Sequence, residues 1–327
     1  MTTDLAIGID IGGTKVAGGV VDVDGRVLAR ARRDTPHRSM SPDVVENTIV
    51  AVVDELFEAV GRERVGAVGI GAAGFVAADR KTVVFAPHLS WRDEPLQDNL
   101  RRRVKVPITV DNDANAAAWA EWKFGAAQGE SHLMIVNLGT GIGGGIVTDG
   151  RLQRGRYGIA GEFGHMQVVP NGLRCECGNR GCWEQYASGN ALVREARGLI
   201  AANSPIVANL LASVGGDPAD LTGPLITAAA QAGDQTSVEL LAEIGNWLGV
   251  GIANLAAAFD PGTFVIGGGV SAAGPLLLDP ARETFRRQLT GRGYRPEARI
   301  VAAQLGNEAG LIGAADLARI DRHGGTE

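Results

Sequence analysis

The stretch LMIVNLGTGIGGGIVTDGRL, residues 133–152, decides the fold because its pattern also occurs near the start of the chain. There, AIGIDIGGTKVAGGVVDVDGR, residues 6–26, follows the same order of apolar strand, glycine turn, returning strand and Asp-Gly turn. Gly13-Thr14 corresponds to Gly139-Thr140. Alternating apolar residues that flank an Asp-Gly pair are typical of a β-hairpin. The repeat predicts a duplicated domain, and two unrelated glycine-rich hairpins are the alternative.

Beyond the two hairpins, strands and helices alternate along the chain, which is typical of the α/β fold class. Helical periodicity covers residues 43–61. Buried strands are predicted within VGAVGIGAAG, residues 65–74, and within PITVDND, residues 107–113. EAGLIGAADLARI, residues 308–320, is predicted to form a closing helix.

The length of 327 residues predicts about two domains, at roughly 150 residues each. We place the boundary near Phe124. Residues 1–124 would form an N-terminal α/β lobe that holds the first glycine turn. Residues 125–327 would form a C-terminal α/β lobe that holds the second. The sequence leaves open whether the closing helix returns to the first lobe.

Charge and hydropathy exclude several classes of protein. The formal net charge is −6 and no basic patch is evident, so we expect no nucleic-acid partner. No apolar stretch reaches the roughly 20 residues of a membrane span, so we expect no membrane partner. The first residues, MTTDLAIGID, lack the basic start and apolar core of a signal peptide. A cytoplasmic protein is therefore expected.

The glycine-rich turns predict a binding site for a nucleotide triphosphate. Backbone N–H groups in a turn without side chains approach phosphates closely, and threonine hydroxyls add donors. An aspartate cannot face a phosphate directly, so the aspartate before the first turn is expected to hold Mg²⁺, directly or through water. The predicted ATP and Mg²⁺ residues are Asp10, Gly12, Gly13, Thr14, Lys15, Gly139, Thr140, Gly141, Gly143, Gly267, Gly268 and Gly269.

Two other phosphate-binding motifs are excluded. Gly139, Gly141 and Gly144 match the spacing of the dinucleotide fingerprint, but that fingerprint must open a helix, and here the glycines lead into a strand. A Walker P-loop is absent because no Gly-Lys-Ser/Thr ends either cluster. For either turn alone, an ordinary tight hairpin is the alternative.

The three cysteines of the chain lie in one short segment, which predicts a metal site. Cys175, Cys177 and Cys182 follow His165 closely, and one nitrogen with three sulfurs completes a tetrahedral Zn²⁺ site. An odd number of cysteines in a reducing compartment also argues against disulfides. With no open coordination position, the zinc would be structural. Three free thiols are the alternative.

Several polar residues near these motifs are candidates for binding a sugar, because charged groups make strong hydrogen bonds to hydroxyls. They are Asn112, Asp113, Glu162, His165 and Glu184. His165 could hold zinc with one ring nitrogen and bond a hydroxyl with the other. Each has an ordinary alternative, since Asp113 could cap the following helix and the two glutamates could be exposed loop charges.

The motifs together resemble the ROK family of sugar kinases and repressors, and within it the glucokinases of actinobacterial type. The resemblance rests on DIGGTK, VDNDANAAAW, LGTGIGGG, GEFGHM, CECGNRGCWE and VIGGGVS, whose order and spacing match from about Leu5 to Ala318. It implies an actin-like ATPase fold with two ribonuclease-H-like lobes and a central cleft. The second lobe would also hold the nucleoside. Relatives of this family commonly form homo-oligomers, so a dimer or tetramer is expected.

The resemblance also implies roles for residues. Asp113 would be the catalytic base for transfer of a phosphoryl group from ATP to the 6-hydroxyl of glucose. The loop from Gly71 to Gly74 would contact the sugar together with the polar candidates above, and the zinc ligands would be the four residues named. Sequence reasoning alone does not separate Asp113 from Asp111 as the base.

Several alternatives stay open at this stage. The acceptor could be another hexose, such as mannose or an N-acetylhexosamine, and His88 stands where many relatives have asparagine. The donor could be polyphosphate. A sugar-sensing regulator without turnover is also compatible, although few residues precede the first strand and a DNA-binding module is therefore not expected.

Overall fold

The computed structural model describes residues 4–322. Its strands are β1 Leu5–Ile11, β2 Lys15–Val21, β3 Val27–Asp34, β4 Val65–Ala72, β5 Phe75–Val76, β6 Val83–Phe85, β7 Arg92–Glu94, β8 Ile108–Asn112, β9 His132–Leu138, β10 Ile142–Thr148, β11 Arg151–Leu152, β12 Thr263–Gly267 and β13 Arg299–Ala302. Its α-helices are α1 Pro42–Val60, α2 Leu96–Val104, α3 Asp113–Lys123, α4 Glu184–Ala187, α5 Gly189–Ala201, α6 Ala208–Ser213, α7 Gly223–Gln231, α8 Gln235–Phe259, α9 Pro275–Gln288 and α10 Ala309–Arg322.

The internal repeat extends to the topology of two five-stranded sheets. One sheet has the order β3-β2-β1-β4-β8 and the other the order β11-β10-β9-β12-β13. In the first, β1 is antiparallel to β2 and parallel to β4, which is parallel to β8. In the second, β12 is parallel to both β9 and β13. The predicted duplication is therefore confirmed at the level of strand order. A small third sheet has the order β5-β6-β7.

The described chain divides into two compact units. The first comprises residues 4–131, 145–161 and 304–322, and the second comprises residues 132–144 and 162–303. The chain passes from the second unit to the first within β10, and α10 belongs to the first unit. The boundary expected near Phe124 differs from this division, because residues 145–161 and the closing helix belong with the N-terminal residues.

Helices cover both faces of the sheet in the first unit. A Cβ built on Gly18 would lie 2.6 Å from Val52 Cγ1 of α1, whereas one on Gly19 would lie 2.9 Å from Leu311 Cδ1 of α10. Successive residues of a strand point to opposite faces, so α1 and α10 lie on opposite sides of the sheet. Burial on both faces explains why β1 has the almost continuous apolar sequence LAIGIDI.

Helix α10 contacts its neighbours backbone to backbone at three glycines. A Cβ on Gly8 of β1 would lie 1.7 Å from the Leu311 carbonyl oxygen, and one on Gly69 of β4 would lie 1.8 Å from the Ala314 carbonyl oxygen. Gly313 of α10 is equally close to α3, because its Cβ would lie 1.7 Å from the Ala116 carbonyl oxygen. No side chain fits in these spaces, so glycine sets the position of α10.

Buried carboxylates join α3 to the C-terminal segment of the same unit. Asp316 is buried and accepts hydrogen bonds from Trp119 Nε1 at 2.8 Å and Lys123 Nζ at 2.6 Å. The Glu121 carboxylate is fully buried and accepts the amide hydrogens of Gln304 and Leu305. Buried charges are tolerated only with such partners, so these contacts specify how α3 and α10 pack.

In the second unit, α8 is the central helix. A Cβ on Gly245 would lie 2.4 Å from the Leu277 carbonyl oxygen of α9, and one on Gly249 would lie 2.5 Å from that of Ala281. By length and composition α8 could cross a membrane, contrary to the expectation that no apolar stretch is long enough. However, 61% of its most apolar window is buried inside the protein, as in the core helix of a soluble protein.

We expect Gly313→Ala to destabilise the protein strongly, by about 3 kcal/mol or more, because the new methyl group would meet the backbone of α3. Differential scanning calorimetry should show a lower midpoint of thermal unfolding. The matched control is Gly198→Ala in α5, where a Cβ would meet no atom of the described residues within 4 Å. That change should stabilise by up to about 1 kcal/mol, because alanine is the better helix former. Equal midpoints for the two variants would contradict this account.

Candidate functional site

The first group of predicted residues lies at the carboxyl edge of the sheet in the first unit. In the register of the parallel strands, Asp10 of β1 is paired with Gly71 of β4, and Gly71 is paired with Asp111 of β8. Because these strands are parallel, the residues that follow them emerge at one edge. The first glycine turn follows β1 there, and Asn112 with Asp113 follows Asp111.

The first glycine turn is held by β3 and its following residue. The Gly12 amide donates to the Lys15 carbonyl at 3.0 Å, which closes the turn between β1 and β2. Thr35 donates its hydroxyl to the Gly12 carbonyl at 2.7 Å and its amide to the Thr14 carbonyl at 3.1 Å. Gly13 and Thr14 are exposed at the tip of this turn. A rigid, exposed turn of this kind can present its backbone to a ligand.

His88 lies against the same turn. A Cβ on Gly13 would come within 3.1 Å of His88 Cβ. Two residues earlier, Ala86 lies beside Gly74, where a Cβ would be 2.9 Å from Ala86 Cα and 2.5 Å from the Phe85 carbonyl oxygen. The segment that carries His88 therefore contacts both the first glycine turn and the loop predicted to contact the sugar.

Asn112, and not Asp113, is the N-cap of α3. The Asn112 Oδ1 accepts the amides of Ala114 at 2.9 Å and Asn115 at 3.0 Å, and its Nδ2 donates to the Gly74 carbonyl at 3.1 Å. Asp113 is the first residue of the helix and is only half-buried, and its Oδ1 also accepts the Ala114 amide at 2.9 Å. The alternative that Asp113 serves as the cap is wrong, because the asparagine occupies that position.

Asp111 is a buried carboxylate whose two oxygens are both engaged. Its Oδ2 accepts two hydrogen bonds from Arg154, at 2.6 and 2.9 Å, and forms an ion pair with Arg80 at 3.3 Å. Its Oδ1 accepts the amide of Asn112 at 2.9 Å and the side chain of Asn115 at 3.2 Å. These contacts make Asp111 a structural residue that orients the start of α3.

Asp10 is the other acidic group at this edge. Burial raises the pKa of Asp10 to about 6, and the nearby positive charge of Lys15 opposes this shift only in part. Gly310 of α10 lies against it, since a Cβ there would be 3.1 Å from Asp10 Cγ. A half-buried carboxylate whose charge is desolvated in this way gains from a cation, so the residue fits the predicted Mg²⁺ role.

The second glycine turn, between β9 and β10, is held by α5. The Gly139 amide donates to the Gly141 carbonyl at 3.0 Å. The amides of Gly189 and Asn190, at the start of α5, donate to the carbonyls of Gly139 at 2.8 Å and Thr140 at 3.3 Å. Gly143, which was predicted to bind the nucleotide, lies within strand β10 and not in the turn.

The third glycine cluster packs against the start of the second turn. A Cβ on Gly267 would lie 2.3 Å from Asn137 Oδ1, and one on Gly268 would lie 2.4 Å from the Leu138 carbonyl oxygen. Gly268 also has φ = +81°, which favours glycine. Packing therefore explains the first two glycines, whereas a Cβ on Gly269 would meet no atom of the described residues within 4 Å.

The cysteine and histidine residues come together as a compact cluster in the second unit. The ligand atoms of His165, Cys175, Cys177 and Cys182 all lie within 4.8 Å of one another. The sulfurs of Cys177 and Cys182 are 3.6 Å apart, and Cys175 Sγ is 3.7 Å from His165 Nδ1. Ligands at about 2.3 Å from a tetrahedral zinc are themselves roughly 3.7 Å apart, so this donor set fits zinc.

Two glutamates lie next to this cluster. Glu184 Oε1 is 3.0 Å from Cys175 Sγ and 3.4 Å from His165 Nδ1. Glu162 immediately precedes the 3₁₀ turn Phe163–His165. The pKa of Glu162 is raised above its ordinary value, mainly by burial. The charge of His165 opposes this rise, and the charge of Glu184 adds to it. Both glutamates are half-buried, so the alternative that they are freely exposed loop charges does not hold.

Some residues that shape these sites have no clear signal in the sequence. Arg80 and Arg154 contact Asp111 from segments far away along the chain. Trp183 is fully buried, and its indole N–H donates to the Trp247 carbonyl at 2.8 Å. Its position between Cys182 and Glu184 could have drawn attention to it, but its partner helix could not have been found from spacing.

The raised pKa of Asp10 makes a prediction about stability. Its folded pKa of about 6 exceeds the ordinary value of 3.8, so the folded protein binds more protons between these values, and stability falls as pH rises through this window. Above it, the ionised carboxylate costs about 1–3 kcal/mol. In buffer without added magnesium, Asp10→Asn should therefore raise the unfolding midpoint at pH 7.5, and the gain should shrink toward pH 5. Exposed Asp24→Asn serves as the control. A gain independent of pH would contradict the assignment.

Comparisons with known proteins agree with this architecture. Residues 6–320 match the model of the ROK family. A glucokinase from Streptomyces coelicolor is 49% identical over 319 residues, covering 96% of this chain and 98% of the relative. A glucokinase from Thermotoga maritima is 36% identical over 321 residues, covering 98% of each.

Among solved structures, a ROK family glucokinase from Streptomyces griseus in complex with glucose and AMPPNP superposes with a TM-score of 0.89. It is 51% identical, and the match covers 96% of this chain and 99% of that one. The two sheets of equal strand order, the glycine turns and these matches identify the fold as that of the actin-like ATPases, and the chain belongs to the ROK family.

Proposed function

We propose that this chain is a glucokinase, which transfers the γ-phosphoryl group of ATP to the 6-hydroxyl of glucose and releases glucose 6-phosphate and ADP. The observation that carries the proposal is the arrangement of acidic groups at the edge of the first sheet. Asp111 pairs with two arginines, and Asp113 stands two residues later at the half-buried start of α3, next to the Asn112 cap. The similarity to the Streptomyces griseus enzyme, solved with glucose and AMPPNP, supports the same substrates here.

In the proposed reaction, the Asp113 carboxylate accepts the proton of the glucose 6-hydroxyl. The hydroxyl oxygen forms a bond to the γ-phosphorus as the bond from that phosphorus to the β–γ bridging oxygen breaks, and ADP leaves with the electron pair. Phosphoryl transfer depends mainly on positioning and charge stabilisation. Asn112 assists by fixing the first turn of α3, which carries Asp113.

The two glycine turns are proposed to hold the phosphates of ATP. In each turn the backbone is fixed by hydrogen bonds, through Thr35 in the first and through Gly189 in the second. Fixed backbone donors cost little reorganisation when a ligand binds. Asp10 would hold Mg²⁺, whose charge balances the triphosphate, and Lys15 would add positive charge near it.

The hexose is proposed to be bound by Asn112, Asp113 and the loop Gly71 to Gly74 of the first unit. The resemblance to the family adds Glu162, His165 and Glu184 to the proposed hexose ligands. His165 Nδ1 faces the cysteine cluster, so Nε2 is the ring nitrogen that would reach a hydroxyl. Hydrogen bonds of this kind discriminate strongly between sugars, because a missing hydroxyl leaves buried polar groups unpaired.

The cysteine and histidine cluster is proposed to hold one structural Zn²⁺. The four donors fill a tetrahedral site and leave no position for a substrate. The segment between the ligands is mostly exposed, with Glu176, Gly178 and Asn179 at the surface. It has little apolar surface to bury, so a bound metal would supply the rigidity that His165 needs.

We further infer a cytoplasmic location and a homo-oligomer, either a dimer or a tetramer. These two points rest on the resemblance to relatives, and the composition of the chain supports the first. Sedimentation equilibrium of the purified protein would distinguish a monomer from a dimer or tetramer.

A panel of sugars with ATP and Mg²⁺ in a coupled ADP-release assay tests the proposed activity. Glucose should give the highest kcat/KM, above mannose and N-acetylhexosamines, and ATP should be preferred to polyphosphate as the donor. Preference for another hexose would reassign the substrate. Absence of turnover with every sugar would favour a sugar-sensing regulator.

In the same assay, Asp113→Asn should lower kcat by about 10²–10⁴-fold, because positioned base catalysis is worth this much. The KM for ATP should change little. Asp111→Asn is the matched comparison two residues away. It should instead lower the unfolding midpoint by the equivalent of about 3 kcal/mol, because it removes the buried carboxylate that pairs with half-buried Arg80 and Arg154. Near-normal turnover of a folded Asp113→Asn variant would refute the assignment.

For the zinc site, elemental analysis of freshly purified protein should find one zinc per chain. Cys177→Ser should lose the metal and weaken glucose binding, because His165 is then no longer fixed by the metal. Glu176→Gln, at an exposed position between two of the ligands, is the control and should keep both. Protein that binds glucose normally without stoichiometric zinc would rule this role out.

A further inference from the structure

The side chain of Glu184 occupies the space above Gly141. A Cβ built on Gly141 would lie 2.4 Å from Glu184 Oε2, far closer than two such atoms can approach. The other carboxylate oxygen, Oε1, faces Cys175 Sγ at 3.0 Å and His165 Nδ1 at 3.4 Å. The carboxylate is therefore wedged between the second glycine turn and the proposed zinc cluster, all within the second unit.

The backbone at Gly141 has little freedom to move away. Its carbonyl accepts the Gly139 amide at 3.0 Å, and the carbonyls of Gly139 and Thr140 accept amides from the start of α5. Ile142, which follows it, is also restrained, because a Cβ on Gly164 would lie 2.4 Å from the Ile142 carbonyl oxygen. The turn is thus held on both sides of residue 141.

The backbone at Glu184 is equally fixed, through Trp183. The indole of Trp183 is fully buried and donates to the Trp247 carbonyl of α8 at 2.8 Å. Gly251 provides the room for the ring, since a Cβ there would lie 2.0 Å from Trp183 Cε2. Trp183 also donates its amide to the Met166 carbonyl at 2.8 Å. Only the side-chain torsions of Glu184 remain free to respond to a new neighbour.

We propose that Gly141 is a positioning residue for the sugar, because its lack of a side chain leaves the space in which the Glu184 carboxylate sits. A methyl group at position 141 would rotate the carboxylate away and leave the fold intact, since the end of a flexible side chain moves easily. This inference rests on the proposed function, in which Glu184 binds the hexose. It assigns to a glycine of the ATP turn a role in binding the sugar.

The conventional role of Gly141 predicts a different outcome. If this glycine served only close approach of phosphates, Gly141→Ala would weaken ATP binding and leave glucose binding unchanged when nucleotide is absent. If it makes room for Glu184, glucose binding suffers without any nucleotide. Gly139 is the matched control in the same turn, because a Cβ there would meet no atom of the described residues within 4 Å.

Isothermal titration of glucose into the full-length protein, without ATP or Mg²⁺, distinguishes the two roles. We expect Gly141→Ala to raise the glucose dissociation constant at least tenfold and Gly139→Ala to change it less than twofold. In a Glu184→Asp background, where the carboxylate is one methylene shorter, Gly141→Ala should raise the constant less than twofold further. Zinc content and the unfolding midpoint should stay near the wild-type values in both glycine variants.

Glucose affinity of Gly141→Ala within twofold of wild type would overturn this inference. A tenfold loss of glucose affinity that persists in the Glu184→Asp background would also overturn it. The loss would then not arise from displacement of the Glu184 carboxylate by the new methyl group. The wild-type titration separates this result from a failure of the proposed function. Wild-type protein that binds no glucose would overturn both, whereas normal wild-type binding with an unaffected Gly141→Ala would overturn only the role of the glycine.

Discussion

The backbone-to-backbone packing of α10 is the contact on which the first unit depends. Gly8, Gly69 and Gly313 bring this helix against β1, β4 and α3 at distances that no side chain permits. The same helix places Gly310 against Asp10. The proposed catalytic edge therefore depends on a segment about 200 residues or more distant from it in sequence. Substitutions at these contacts are expected to be destabilising. Neither backbone can move apart without displacing a strand or helix that carries a proposed site residue.

In the second unit, close packing at glycine positions a loop instead of a helix. Its loop of cysteines is largely exposed and cannot be held by an apolar core. Instead, Trp183 inserts at Gly251 of α8, and the four clustered donors close the loop on the other side. Glu184 lies between these two anchors. Glycine again determines where a functional side chain sits, here by making room for the side chain itself.

Some acidic groups of this protein stabilise the packing of helices, and others lie at the proposed binding sites. Asp111, Glu121 and Asp316 are almost fully buried and each accepts several hydrogen bonds, so their charges serve the packing of α3. Asp10 and Glu162 are half-buried, and burial raises the pKa of each. Carboxylates in such surroundings are costly to the fold, and this cost is expected at sites that bind a cation or a polar substrate.

Much of this description could be read from local patterns. The hairpin repeat, the α/β class, the helix at 42–60 and the residues of the cysteine and histidine cluster all follow from periodicity, turn residues and the spacing of rare side chains, which are properties of short segments. The resemblance of the motifs to the ROK family was confirmed over residues 6–320. The same local reasoning left Asp111 and Asp113 indistinguishable, because both follow one strand.

The tertiary structure shows how the contacts of such neighbours differ. Arg80 and Arg154 reach Asp111 from distant segments, and the division into two units places residues 145–161 and α10 with the N-terminal residues. Several glycines that the sequence assigned to phosphate binding have a packing role instead or as well, as at Gly267 and Gly268. The physical reason is that a sequence records which residues lack a side chain, whereas the atom that would fill the vacant space is known only once the chain has folded.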